Sequence, residues 1–163
     1  IAITYTIVNE SGETRKVAPW EISRVPNGGM LFFDAKEATP ANNMKGMNFV
    51  FEQKAAWFTL DEDKENRKIN ADGKGWLAFS DNCLLFVKKF QDLKAGEEAP
   101  AEAEIQIYAN PGKTFVEIEG QGAYTTLAAG EELDWTVTWY LVAHDLKNEP
   151  SKALLKLAKK IAK

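Results

Sequence analysis

The sequence is poor in the residues on which most reactive chemistry depends. Its 163 residues include one cysteine and one histidine. A single Cys83 excludes an internal disulfide, and the lone His144 removes most zinc-site patterns. A cysteine nucleophile needs a neighbouring base, and with Leu84, Leu85 and Phe86 beside it, Cys83 reads as a buried, inert thiol. Long apolar runs are missing too. None approaches the ~20 residues of a membrane-spanning helix, and no signal-peptide pattern opens the chain. Positive charge is scattered until the last thirteen residues, and the formal net charge is −4. That gives no electrostatic reason to expect nucleic acid or an anionic membrane as partner, and no basic, aromatic-interleaved strand supplies one. The chain begins without an initiator Met, directly in strand-like sequence from Ile1 to Val8. This reads as a piece of a longer protein, with removal of a short leader as the alternative.

Period-two alternation dominates what remains. Ile1, Ile3, Tyr5 and Ile7 share one face of the first strand. Thr14 to Val25 carries one strand, or two short ones interrupted by Pro19, and Pro26-Asn27-Gly28-Gly29 is a turn before the short buried strand Met30 to Phe33. Residues 34 to 46 read as a polar surface loop, and Met47 to Phe51 with Ala56 to Leu60 as a short hairpin. The charged run Asp61 to Lys68 reads as a solvated loop. Gly75 to Phe79 and Leu84 to Phe90 pair across a turn at residues 80–82. Gln91 to Ala103, rich in Ala, Glu, Gly and Pro, reads as a mobile loop, and Glu104 to Ala109 and Thr114 to Glu119 flank Asn110-Pro111-Gly112-Lys113 as another hairpin. In the final strand Leu133, Trp135, Val137, Trp139 and Leu141 point one way. After Pro150 the spacing turns helical, with Ser151 as N-cap and a basic, amphipathic segment behind it. Such a helix lies on the sandwich, on a membrane surface or on a partner. Many short strands with frequent turns and one terminal helix predict a mostly-β antiparallel sandwich over residues 1–149, with a C-terminal helix over 150–163.

The candidate chemistry sits in Thr114 to Gln121. Alternation places Val116 and Ile118 on one face and Phe115, Glu117 and Glu119 on the other. Two carboxylates on one face can hold sugar hydroxyls through charge-assisted hydrogen bonds, or one can serve as a general base. A solvent-facing strand surface is the alternative. Five tryptophans are many for this length. Trp135 and Trp139 share a face with apolar neighbours and read as core, whereas Trp20 and Trp76 are undecided.

The order Tyr108-Ala109-Asn110, Val116 to Gln121, Thr126 to Glu132 and Trp135 to Leu141 resembles the closing region of aldose-1-epimerase-like, or galactose-mutarotase-like, proteins. Short segments at Ala18 to Ile22, Gly75 to Phe79 and Leu85 to Phe90 are similar to bacterial mutarotase-like proteins of the DUF4380 kind. The resemblance implies a portion of a super-sandwich that binds a mono- or oligosaccharide without metal or cofactor. It aligns Ile118-Glu119-Gly120-Gln121 with the element carrying the mutarotase base, which makes Glu119 the candidate catalytic residue. Trp20, Glu21, Trp76, Lys88 and Glu117 become candidate sugar contacts. Trp20 stands near where the family keeps an acid histidine, and other sugar-gripping residues of the family lie in an N-terminal half, so that half of the same protein is an implied partner. Sugar binding is therefore expected ahead of a complete epimerase site, and a purely interdomain sandwich is the rival. A periplasmic or secreted setting is also implied.

Overall fold

The computed structural model describes residues 1–35, 47–60 and 65–163. Most of the loop read over 34–46 and the start of the charged run, 61–64, lie outside these. The strands are β1 (Ala2–Val8), β2 (Arg15–Val17), β3 (Trp20–Pro26), β4 (Met30–Phe33), β5 (Val50–Glu52), β6 (Ala55–Thr59), β7 (Arg67–Ala71), β8 (Trp76–Asp81), β9 (Leu84–Lys89), β10 (Ile105–Ala109), β11 (Phe115–Gln121), β12 (Thr125–Leu127) and β13 (Glu132–Ala143), followed by helix α1 (Lys152–Ile161). All the described strand pairs are antiparallel. They form a seven-stranded sheet ordered β1-β13-β9-β8-β4-β6-β5, a four-stranded sheet ordered β3-β11-β10-β7, and a small β12-β2 pair. The expected antiparallel sandwich is what the chain adopts.

Alternation determines the layering, because successive side chains of a strand leave opposite faces of its sheet. On the four-stranded sheet Val25, Ile69, Ile105, Ile107, Val116 and Ile118 point inward and are buried. They meet Leu31, Phe33, Phe58, Leu77, Phe79, Trp135 and Val137 of the seven-stranded sheet. The other face of that larger sheet carries Phe32, Trp57, Trp76, Leu85 and Val87, and α1 covers it with Leu154, Leu155 and Ala158. Ser151 caps the helix by accepting the Leu154 amide at 3.3 Å. No described helix is long and apolar enough to cross a membrane.

Three readings need correction. Arg67 and Lys68 belong to β7 rather than to a solvated loop, because Arg67, Ile69 and Ala71 alternate inward with Lys68 and Asn70 outward. Cys83 is exposed, not buried. It is the second residue of a two-residue hairpin turn in which Asn82 (φ 46°) and Cys83 (φ 61°) are both left-handed, the geometry that matches the twist of the flanking strands. The segment 91–103 is not a free loop: its start runs beside Gly75, and residues 97–101 bond to the outer-face residues Asn70 and Gln121 of the four-stranded sheet and to Tyr124.

Candidate functional site

β11 is the second strand of the four-stranded sheet, so Glu119 projects from its outer face between Ile22 of β3 and Gln106 of β10. An outward carboxylate is ordinarily solvated, yet Glu119 is 1% exposed. Trp20, at the start of β3, lays its indole across it and donates from Nε1 to Glu119 Oε2 at 2.8 Å. Lys68 of β7 reaches the same oxygen at 3.1 Å. Its ammonium also sits 4.8 Å from the centre of the Trp20 ring, within cation–π range. Trp20 itself remains 50% exposed. Burial raises the Glu119 pKa, Lys68 and the Trp20 N–H counter the rise, and Glu117 adds to it.

One residue pair along, Glu117 accepts from Arg24 Nε at 2.8 Å, and the Arg24 guanidinium stacks 4.5 Å from the Phe115 ring centre. Gly122 fixes the start of β3: its amide donates to Pro19 O at 2.9 Å. A Cβ at Gly122 would lie 2.7 Å from Pro19 and 2.8 Å from the Trp135 ring, so a larger residue there would push Trp20 away from Glu119.

Glu21 and Lys88 take the opposite side. Glu21 leaves β3 on its inner face, and Lys88 comes up from β9 of the facing sheet with 0% exposure. They form an ion pair inside the sandwich. Lys88 also donates to Ile118 O at 2.9 Å, and Ser23 Oγ donates to Glu21 at 2.8 Å. Desolvation lowers the Lys88 pKa, while Glu21 and, across β11, Glu119 raise it. Trp76 is farther away: it is 4% exposed, packs edge-on to Phe32 at 6.1 Å and faces α1. Of the six sequence-derived residues the outer face therefore gathers Glu119, Trp20 and Glu117. Glu21 and Lys88 are enclosed behind it, and Trp76 lies in another layer. His144 is also elsewhere, accepting the Leu146 amide at 3.1 Å and lying 3.0 Å from Ser80 Oγ.

Sequence reasoning missed Lys68, Asn70, Gln106 and Gln121. The signal for the first three was present in the alternation of Arg67 to Ala71 and Ile105 to Ala109, but the run of charges hid the first strand. Gln121 stood in the Ile118-Glu119-Gly120-Gln121 element without being assigned a contact. Asn70, Gln106 and Glu119 stand directly opposite one another on β7, β10 and β11, and all three are at most 6% exposed. Segment 91–103 covers this side. Asn70 Nδ2 donates to Ala101 O at 3.1 Å, and the Ala99 amide donates to Gln121 Oε1 at 3.3 Å. The Tyr124 amide donates to Glu97 O at 2.7 Å. At the root of the segment, buried Glu104 accepts the amides of Leu93 (2.7 Å) and Gly75 (2.9 Å). Gly75 has φ +67°, and a Cβ there would lie 2.7 Å from Phe90 O. Burial pushes the Glu104 carboxyl up to about 7; the two amides pull it down, and neighbouring Asp92 adds to the rise.

No family model matches the sequence, and no curated protein matches it. A solved structure from Escherichia coli K12, named "putative aldose 1-epimerase", shares the fold with a TM-score of 0.61 at 11% sequence identity. The match covers 87% of this chain and 56% of that one. The chain thus has a mutarotase-like β-sandwich fold and spans just over half the length of that neighbour.

Proposed function

We propose that the outer face of the four-stranded sheet binds a mono- or oligosaccharide, with Glu119 as its polar anchor and Trp20 as its stacking surface. The observation that carries this reading is a half-exposed indole whose own N–H is engaged by a buried carboxylate. A pyranose presents apolar C–H faces to aromatic rings and hydroxyls to carboxylates, and a charged acceptor roughly doubles the strength of such hydrogen bonds. Lys68 and Gln121 border the same spot and supply further donors. The mutarotase-like fold supports the choice of ligand class, and kinship to the DUF4380 kind belongs to the same proposal.

Epimerase chemistry is the deeper version of this reading. A carboxylate with a raised pKa is a better base once ionised, and Glu119 would take the anomeric proton. Ring opening also needs a proton donor at the ring oxygen, which the N-terminal half of a longer protein would provide. Turnover should then vanish in Glu119→Gln. A second reading, a sandwich that only packs against another domain, draws on the exposed Ile22 beside Trp20 at the open edge of β3.

Tryptophan fluorescence separates them. Trp57, Trp76 and Trp135 are at most 5% exposed, and Trp139 is partly buried against Phe86 and the core between the sheets. Trp20 is therefore the tryptophan on the proposed site, and its substitution isolates that site's response. Titration with monosaccharides and oligosaccharides should give a saturable change, lost in Trp20→Ala. A flat response to every sugar rejects the saccharide site in favour of interdomain packing.

A further inference from the structure

Segment 97–103 covers polar side chains that the sheet would otherwise present to solvent, and it satisfies them incompletely. Asn70 Oδ1 and Gln106 Oε1 are buried and find no hydrogen-bond partner among the described residues. Their amide orientations are fixed from the other end, because Asn70 Nδ2 donates to Ala101 O and Gln106 Nε2 to Ala103 O; flipping either amide would set oxygen against oxygen. A buried acceptor left unmatched is unfavourable, so a covering layer that creates two of them on opposed residues is a poor permanent partner. The cover is also strained at one point: Ala101 holds φ +64°, a conformation that residues other than Gly, Asn and Asp adopt at a cost. The bond from the Ala99 amide to Gln121 beside it is long at 3.3 Å, while the Tyr124 amide holds the start of the segment at 2.7 Å. The groups it touches are those a sugar would use: two amide acceptors with their donors, the Gln121 amide and, one strand over, Glu119.

We infer that Asn70, Gln106 and Gln121 form a second saccharide subsite continuous with Glu119, and that segment 97–103 occupies it as a strap whose backbone amide and carbonyls stand in for sugar hydroxyls. The inference rests on the saccharide reading of this face and specifies how the ligand enters. Sugar hydroxyls donate to Asn70 Oδ1 and Gln106 Oε1, the bonds from Asn70 to Ala101 and from Ala99 to Gln121 break, and the strap lifts. The strap thereby lowers apparent affinity by the fraction of molecules in which it is open.

Two substitutions of one residue outside the polar row test this with opposite signs. Proline is confined to φ near −65°, so Ala101→Pro cannot keep the closed strap, and apparent affinity for the best monosaccharide or oligosaccharide should rise about five-fold. Ala101→Gly relieves the φ +64° cost and should weaken binding about three-fold. Adding Asn70→Ala to Ala101→Pro should cancel the gain. In the unaltered protein, saturating sugar should accelerate hydrogen exchange at the Tyr124 amide, which donates to Glu97 O in the closed strap. This last measurement holds even if a variant folds poorly. Sugar binding with unchanged affinity in both Ala101 variants and unchanged or slower Tyr124 exchange overturns the strap while leaving the Glu119 site intact. Absence of binding in every variant overturns both.

Discussion

The two faces of the β3–β11 pair carry similar groups and use them differently. On the inner face Glu21 and Lys88 meet between the sheets, with Ser23 and a backbone carbonyl completing their bonds. On the outer face Glu119 and Lys68 meet beneath an indole, with Lys68 one-third exposed. Each is a carboxylate–ammonium pair. The inner pair is sealed by the facing sheet, so neither member can be released without opening the core. The outer pair is covered by the Trp20 side chain, with the 97–103 segment over its neighbours Asn70 and Gln121, and a side chain and a loop can move without breaking a strand pairing. A ligand site belongs where the cover is the cheaper part to displace, and that is the outer face.

The largest effect should come from breaking the inner pair. Glu21→Ala leaves the Lys88 ammonium buried without its counter-charge, which costs about 3–5 kcal/mol of stability. Urea denaturation reads that loss, and sugar affinity of the molecules still folded should not change. A comparable loss of sugar affinity would erase the distinction between the faces.

A smaller effect is expected at the root of the strap. The Glu104 carboxyl ionises at about 7 in the folded chain against 4.5 for an unperturbed glutamate. The fold therefore favours the protonated form. Its contribution is fully present below pH 4.5 and is lost as pH rises through about 7. Asp92→Asn removes one cause of the raised value, so the loss between pH 5 and pH 8 should shrink by on the order of 1 kcal/mol. Denaturation curves at those two pH values check the sign. The smallest effect belongs to Arg24→Ala. Arg24 pairs with Glu117 from a side chain 68% exposed, and such pairs contribute about 0.2–1 kcal/mol, less at high salt. A drop well beyond that range would mean that the stacking of Arg24 on Phe115 carries more than the charge does.

The sheet pairings were legible wherever alternation met an unambiguous turn. Val116 and Ile118 inward against Glu117 and Glu119 outward could be read directly, as could the hairpins at Asn110-Pro111-Gly112-Lys113 and after Ser80. Strand β7 was not, because three of its five residues, Arg67, Lys68 and Asn70, are polar and a strand paired on the sheet's edge need not look apolar. Nor could sequence separate Trp20 from Glu21. They are adjacent, so period two sends one to each face, and only the β3–β11 register shows that Trp20 is the one that meets Glu119. Trp76 misled for a related reason: an aromatic after a glycine suits a binding loop and a core strand equally well, and the helix that covers Trp76 lies far along the chain.

Strand β1 is an edge strand, and its partner in the seven-stranded sheet is β13, with Ala2 opposite Thr138 and Val8 opposite Glu132. The bond between Thr4 and Thr136 alone spans 132 positions of sequence. During synthesis at ~5–20 residues per second, the earliest strand of this segment waits roughly ten seconds for the strand that completes it. Until then the alternating Ile3, Tyr5 and Ile7 lack the partner strand they have in the finished sheet, and an unpaired strand of that pattern is a template for pairing with other chains. The order in which the ribosome delivers the segment is thus the reverse of what its closing contact needs. A chain halted before Glu132 emerges lacks the strand that β1 pairs with in this sheet.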